Sequence, residues 1–314
     1  MTLDTLVIVN PEAGGGRALR SEALVARFLA AHDRDVQFTH SRSSQDVRDL
    51  AARAAASGYR YVVALGGDGA FHYVIEGLRG TETIAGFFPA GTGNDAAREL
   101  DIPKDSVQAA SAFLHSEPQP MDLVRVKVRQ GRVAHYVTAG GMGLDAQAAH
   151  LANTRFKKWP GVTRYLAGAL WTFCHEPAFE LRAEIDGVPW SGRVIFGAVA
   201  NARCYGSGII IAPEARIDDG WLDLVLAGEF TWPRLLAAIP VVLTVGNFDA
   251  IEVQRFRCRR AVLQADRPAK VHGDGEVLGE SPAEFEVLPG AVRVMTPRQR
   301  VRPVQEACAH APTF

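Results

Sequence analysis

The sequence predicts two domains: a parallel sheet with helices on its faces, followed by an antiparallel, β-rich unit. Three observations predict this. Strand-like and helix-like patterns alternate over the N-terminal third, the texture changes to period-two strands after Pro118-Gln119-Pro120, and the chain is long and apolar enough for two cores, with 314 residues of which 47% are hydrophobic.

Taken in order, the first unit reads as a strand over 6–9 (Leu6-Val7-Ile8-Val9), an Ala/Leu-rich helix over 18–31, a strand over 35–39, a helix over 45–57, a strand over 61–65, a helix over 71–78 and a strand over 84–88. Short apolar runs alternating with helices are the signature of a parallel sheet, whose strands need crossover connections. Ser43 or Ser44 is placed to cap the helix beginning Gln45-Asp46, and Gly58 follows its last turn. Beyond Pro120 the strands 123–128, 133–138, 179–185 and 194–200 alternate apolar and polar residues, with turns at Asp186-Gly187 and Asp219-Gly220. The expected division is 1–122 and 123–295, with a hinge near Pro120 and a tail, 296–314, free to rejoin the first domain. One segment of the second half, 155–173, places apolar residues at helical spacing and flanks Trp159, Tyr165, Trp171 and Phe173 with Lys157, Lys158 and Arg164. That composition fits an interfacial helix docking on anionic lipid, but it fits better a core helix with a solvated basic face.

Composition narrows the function classes. A formal net charge of −1 gives no global attraction to nucleic acid. Cys174, Cys204, Cys258 and Cys308 lack paired or metal-ligand spacing, as expected of thiols in a reducing compartment. Met1 leads directly into a strand without a basic leader, which points to the cytoplasm. The longest apolar run, 235–245, is broken by Pro240 and falls short of the ~18–20 residues needed to span a bilayer. Membrane contact is therefore expected to be peripheral, and a homodimer is compatible with the sequence.

The chemistry is concentrated in glycine-rich loops. Gly66-Gly67-Asp68-Gly69 and Gly91-Thr92-Gly93-Asn94-Asp95 each close an apolar strand and open a helix, which presents free amides and a positive helix end to an anion. Neither loop has the lysine and hydroxyl of a Walker A motif. The second matches the degenerate dinucleotide pattern, but a dinucleotide site uses the first strand-to-helix turn, and here that turn, Asn10-Pro11-Glu12-Ala13-Gly14-Gly15-Gly16, has Leu19 where the third glycine belongs. Two such loops, each bearing an aspartate, suggest a polyphosphate with a metal ion. Asp122 and the distant His272-Gly273-Asp274-Gly275-Glu276 join the same cleft if the second domain folds back, although Asp274-Gly275 reads by itself as a hairpin turn.

Asn10-Pro11, Gly66 to Gly69, Pro89 to Arg98, Gly141-Met142-Gly143-Leu144-Asp145-Ala146, Asp218 to Asp223 and Asp274-Gly275-Glu276 resemble, in this order, the motifs of the diacylglycerol kinase catalytic family, which includes soluble bacterial diacylglycerol kinases and sphingosine kinases. The resemblance covers nearly the whole chain. It implies a three-layer α/β domain, of the kind shared with NAD kinases, and a C-terminal antiparallel β-sandwich that hold ATP between them while a lipid hydroxyl, most simply that of a diacylglycerol-like acceptor, receives the γ-phosphate. By that resemblance Asn10, Thr39, Gly66, Gly67, Asp68, Gly69, Ala70, Phe71, His72, Gly91, Thr92, Gly93 and Asn94 contact the nucleotide. Asp68, Asp95, Asp122 and Glu276 form the carboxylate and water network of a catalytic Mg²⁺. Glu276 is the favoured proton acceptor, with Asp274 the close alternative, and the Asp219 carboxylate with the Arg216 and Trp221 carbonyls forms a second Mg²⁺ site. After Gly69 the family's Thr, apolar, Asn, Glu becomes Ala70, Phe71, His72, Tyr73. Loss of the threonine hydroxyl removes one phosphate hydrogen bond, typically ~0.5–1.5 kcal/mol. The rival readings are an NAD kinase-like enzyme and a catalytically weak lipid-binding or regulatory homologue.

Overall fold

The N-terminal strands are apolar along their whole length because both faces of their sheet are covered. In the computed structural model, which describes residues 4–32, 35–159, 163–234, 237 and 253–297, β1 (Thr5–Val9), β3 (Tyr61–Gly66) and β4 (Ile84–Pro89) are buried at every position. They pair in parallel in the order β2–β1–β3–β4, with β2 (Val36–His40) at the edge. Helices α1 (Arg17–Ala30), α2 (Ser44–Ala56), α3 (Asp68–Leu78), α4 (Asp95–Glu99) and α5 (Ser106–Leu114) connect and flank them. Ser43, not Ser44, caps α2, accepting the Asp46 N–H at 3.2 Å while Asp46 takes the Arg42 N–H at 2.8 Å. Gly58, at φ 83°, follows the last turn of that helix.

The place expected to hinge is inside a strand. β5 (Glu117–Val128) runs through Pro120 without interruption and pairs antiparallel with the last described strand, β17 (Ala283–Thr296). Pro118 and Pro120, two residues apart, turn toward the same edge, and β6 (Val133–Tyr136) covers β5 only at Val124–Lys127, so the missing donors cost no ladder bond. Met121, Leu123, Val292 and Val294 belong to the N-terminal core, whereas Val124, Val126, Phe285 and Val287 belong to the second. β17 also touches β4 in parallel, at Val294 opposite Ala85. The return to the first sheet is thus made by Val292–Thr296; the tail 298–314 and Cys308 lie outside the described residues.

The remaining strands are β7 (Ala139–Gly143), β8 (Phe179–Ile185), β9 (Val188–Ala200), β10 (Cys204–Tyr205), β11 (Ile209–Ile210), β12 (Leu222–Gly228), β13 (Val253–Cys258), β14 (Arg260–Ala265), β15 (Lys270–Gly273) and β16 (Glu276–Glu280). Their pairings are antiparallel, and their inward residues, among them Leu181, Leu224, Leu263 and Val271, belong to the second core. Two helices interrupt them: α6 (Leu144–Asn153) and α7 (Thr163–His175). The single helix expected over 155–173 is therefore not continuous. Residues 154–158 turn between α6 and α7, and only the part from Thr163 onward is helical; 160–162 lie outside the described residues. Gly168 lets α7 close on α6, since a Cβ there would stand 2.6 Å from the Ala148 carbonyl oxygen. Most of the apolar run 235–245 also lies outside the description, and no described helix is long and apolar enough to cross a membrane.

Candidate active site

Parallel strands send their C-terminal loops to one edge of the sheet, and here three glycine-rich loops meet there. The loop after β1 has Gly14, Gly15 and Gly16 all left-handed, at φ 59°, 66° and 83°. Its Arg17 donates to the Gly91 carbonyl at 2.6 Å, and Ala90 N–H donates to the Gly66 carbonyl at 2.6 Å. The loops after β3 and β4 touch through main chain: a Cβ on Gly91 would lie 2.5 Å from Gly67 Cα. Asn94, left-handed at φ 53°, closes the third loop by accepting the Gly91 N–H at 3.0 Å and donating back to the Gly91 carbonyl at 3.1 Å. At the N-terminus of α3 the first-turn amides have no intrahelical partner, so they and the helix end remain available to an anion.

Carboxylates surround this point. Asp68 accepts the Ala96 N–H at 3.0 Å, and burial, followed by the nearby Asp95, pushes its carboxyl up to about 7. Burial also raises Asp95, against the Ser207 N–H at 2.8 Å and an ion pair with Arg98 that favour its charged form. The hairpin between β15 and β16 turns through Asp274 at φ 48° and Gly275 at φ 82°, the paired left-handed geometry of a tight hairpin turn. Asp274 is both turn residue and site residue. Its carboxylate accepts from Val137 N–H at 2.8 Å, Thr138 N–H at 2.8 Å and Thr138 Oγ1 at 2.7 Å, and stands 2.9 Å from His72 Nδ1. Burial opposes its charge, but these bonds hold its carboxyl below the usual aspartate range, and the same contact outweighs burial to raise His72. Glu276 is exposed at the rim and accepts from Tyr73 O–H at 2.8 Å.

The resulting cleft, about 390 Å³, has a polar wall of loops and an apolar wall from α6 and α7, where Leu144, Ala148, Ala149 and Ala169 line it beside Arg164 and Tyr165. A buried Asp145–His272 pair, 3.1 Å apart, lies along the same wall. Of the residues expected at a nucleotide or catalytic site, Asn10, Gly67, Asp68, Gly69, Ala70, Gly91, Thr92, Gly93, Asp95, Asp274 and Glu276 line this cleft. Thr39, Gly66, Phe71, His72 and Asn94 do not. Phe71 is buried and stacks on Phe87, leaving only its backbone to contribute, and Asn94 shapes its loop.

Asp122 stands apart from these residues. It lies outside the cleft, accepting Gly220 N–H at 2.6 Å and Gly290 N–H at 2.7 Å, in a second depression shared with Asp219. Asp219 accepts the Trp221 N–H at 3.0 Å and pairs with Arg257, while Arg257 and Arg259 cover the Trp221 ring; the Arg216 side chain pairs with Asp218 at 3.2 Å. Among the described residues no group of three or more His, Cys, Asp and Glu is arranged to hold a metal ion. Sequence reasoning missed Thr138 and Ser207, and it placed Tyr165 on an interfacial or core helix without assigning it to this cleft. Ser207 had a signal: Gly206-Ser207-Gly208 is another glycine-rich loop, with all three residues at positive φ, and its Ser207 N–H holds Asp95.

Residues 4–126 match the family model described as the diacylglycerol kinase catalytic domain, and residues 138–296 match that of the YegS C-terminal NAD kinase beta sandwich-like domain. A Pseudomonas aeruginosa protein called a probable lipid kinase YegS-like is 31% identical over 295 residues, spanning 93% of this chain and 94% of its own length. A Mycobacterium tuberculosis diacylglycerol kinase is 29% identical over 294 residues, again spanning 93% and 94%. The crystal structure of a diacylglycerol kinase from Bacillus anthracis shares the fold, with a TM-score of 0.74 at 22% identity over 94% of this chain and 97% of that one.

Proposed function

Since this chain belongs to the diacylglycerol kinase family of lipid kinases, we propose that it transfers the γ-phosphate of ATP, with Mg²⁺, to the hydroxyl of a diacylglycerol-like lipid. The observation that carries this reading is the facing of two walls: amide-rich loops and the Asp68 and Asp95 carboxylates on one side, and the Asp274–Glu276 hairpin beside an apolar helical wall on the other. The loops would hold the phosphates, and α6 and α7 would take the acyl end of the acceptor. Glu276, the less encumbered of the two hairpin carboxylates, would accept the acceptor's hydroxyl proton as the oxygen bonds to the γ-phosphorus and the bond to ADP breaks. Asp274, tied by four contacts, would fix the hairpin.

The residues present fit a divalent cation in one respect: desolvation, followed by the neighbouring Asp95, raises the pKa of the partly buried Asp68 carboxyl, and a bound cation would offset both. Mg²⁺ would supply charge neutralisation across the transferring phosphate, with Asp68 as its protein ligand directly or through water and Asp95 behind it. A second cation at Asp219 would have to displace Arg257. We further propose peripheral docking at the inner leaflet through the turn that carries Lys157, Lys158 and Trp159, between the two helices that help line the cleft. Glu276→Gln tests the proton-acceptor assignment: turnover should fall at least a hundredfold, in the range of general-base contributions, with ATP affinity nearly unchanged. Near wild-type turnover would move the role to Asp274.

A further inference from the structure

Two adjacent side chains on the second turn of α3 meet the two carboxylates of one hairpin: His72 meets Asp274, and Tyr73 meets Glu276. The two contacts do different things. Asp274 is already clamped by Thr138 and the Val137 amide, so His72 completes an existing lock. Glu276 is exposed at the rim, and a glutamate left free there samples many rotamers, which must be given up before it can act from one position. Tyr73 is half-buried in the cleft wall and has only two side-chain torsions, so its hydroxyl is a fixed point.

We propose that Tyr73 is the positioning residue for Glu276: its hydroxyl donates to Glu276 Oε2 and holds the other carboxylate oxygen toward the acceptor hydroxyl. This rests on the reading of Glu276 as proton acceptor. Burial, with the bond to and charge of Glu276, pushes the Tyr73 phenol up to about 12 against an opposing contact from Ser44, so it remains a donor throughout the neutral range. The glutamate that the family places at this position has no proton to donate at neutral pH. The change to Tyr73 is thus more than a loss of an acid beside the phosphate loop; it joins α3 to the hairpin.

The test is a double-mutant cycle of wild type, Tyr73→Phe, Glu276→Gln and the double variant, read as single-turnover transfer of labelled phosphate from ATP to diacylglycerol in mixed micelles, with KM for ATP measured alongside. Tyr73→Phe should lower turnover about tenfold and leave KM for ATP within about twofold. On the Glu276→Gln background the same change should alter residual turnover less than about twofold, because the group it positions is gone. An equal tenfold loss on both backgrounds would overturn the proposal while leaving Glu276 as acceptor, and so would undiminished turnover of Tyr73→Phe. Near wild-type turnover of Glu276→Gln alone would overturn the underlying reading, and the proposal with it.

Discussion

Asp68 binds its proton more tightly in the folded chain than in the unfolded one, because folding buries it beside Asp95 and Asp274. An acid whose folded value is raised stabilises the fold only below its unfolded value; that contribution is lost as pH rises from 3.8 to about 7, and above it the buried charge is a net cost. Asp68→Asn should therefore melt higher than wild type at pH 8, by about 2–4 °C for each kcal/mol of relieved desolvation, with the gap shrinking as pH falls toward 4. Mg²⁺ should raise the melting temperature of the wild type and not of the variant, and the variant should lose turnover. A variant that melts lower at pH 8 would contradict this charge state. Single residues were unevenly legible in the sequence. Asp68 and Asp95 could be placed because each follows glycines at a strand end. Asp122 could not, since its partners, Gly220 and Gly290, come from loops about a hundred or more residues away that no local pattern ties to it.

Helices and loops were easier to find than to connect. The N-terminal strands declare themselves by unbroken apolar runs, and Asp186-Gly187 and Asp274-Gly275 by turn chemistry. The segment 155–173 misled because its apolar spacing persists through a turn: Phe156 and Trp159 pack on each other outside any helix, at 5.5 Å between ring centres. What the loops need from glycine is also clearer in three dimensions, where Gly67 and Gly91 serve loop-to-loop contact besides the proposed approach to phosphate. Gly91→Ala puts a methyl group 2.5 Å from main chain, which cannot yield as a side chain would. It should weaken binding of a non-hydrolysable ATP analogue at least tenfold by calorimetry; unchanged affinity would show that the two loops need not touch. Trp159 is half-exposed beside Lys157 and Lys158. Reversing both lysine charges should reduce vesicle binding and activity on vesicles, in a salt-dependent way, yet spare a short-chain soluble acceptor. Equal loss on both substrates would assign this segment to the core alone.

At the scale of the whole molecule, β5 and β17 cross between the two cores as a paired ribbon, so the β15–β16 hairpin is carried on the same hydrogen-bonded sheet as the glycine-rich loops. A change of strand texture at Pro120 revealed two cores, but not this continuity, because strand pairing between residues some 170 positions apart leaves no period in the sequence. Glycine-rich loops and the apolar residues of α6 and α7 line one cleft, and the proposed phosphoryl transfer to a lipid calls for both, whereas transfer to a water-soluble dinucleotide does not. The most direct measurement is transfer of labelled γ-phosphate from ATP, with Mg²⁺, to a panel of diacylglycerol, monoacylglycerol, phosphatidylglycerol, a sphingoid base and NAD. Label should appear in a lipid product, with diacylglycerol or its close analogue the best acceptor, and should vanish on chelation of the metal. Label confined to NAD, or in no product at all, would contradict it.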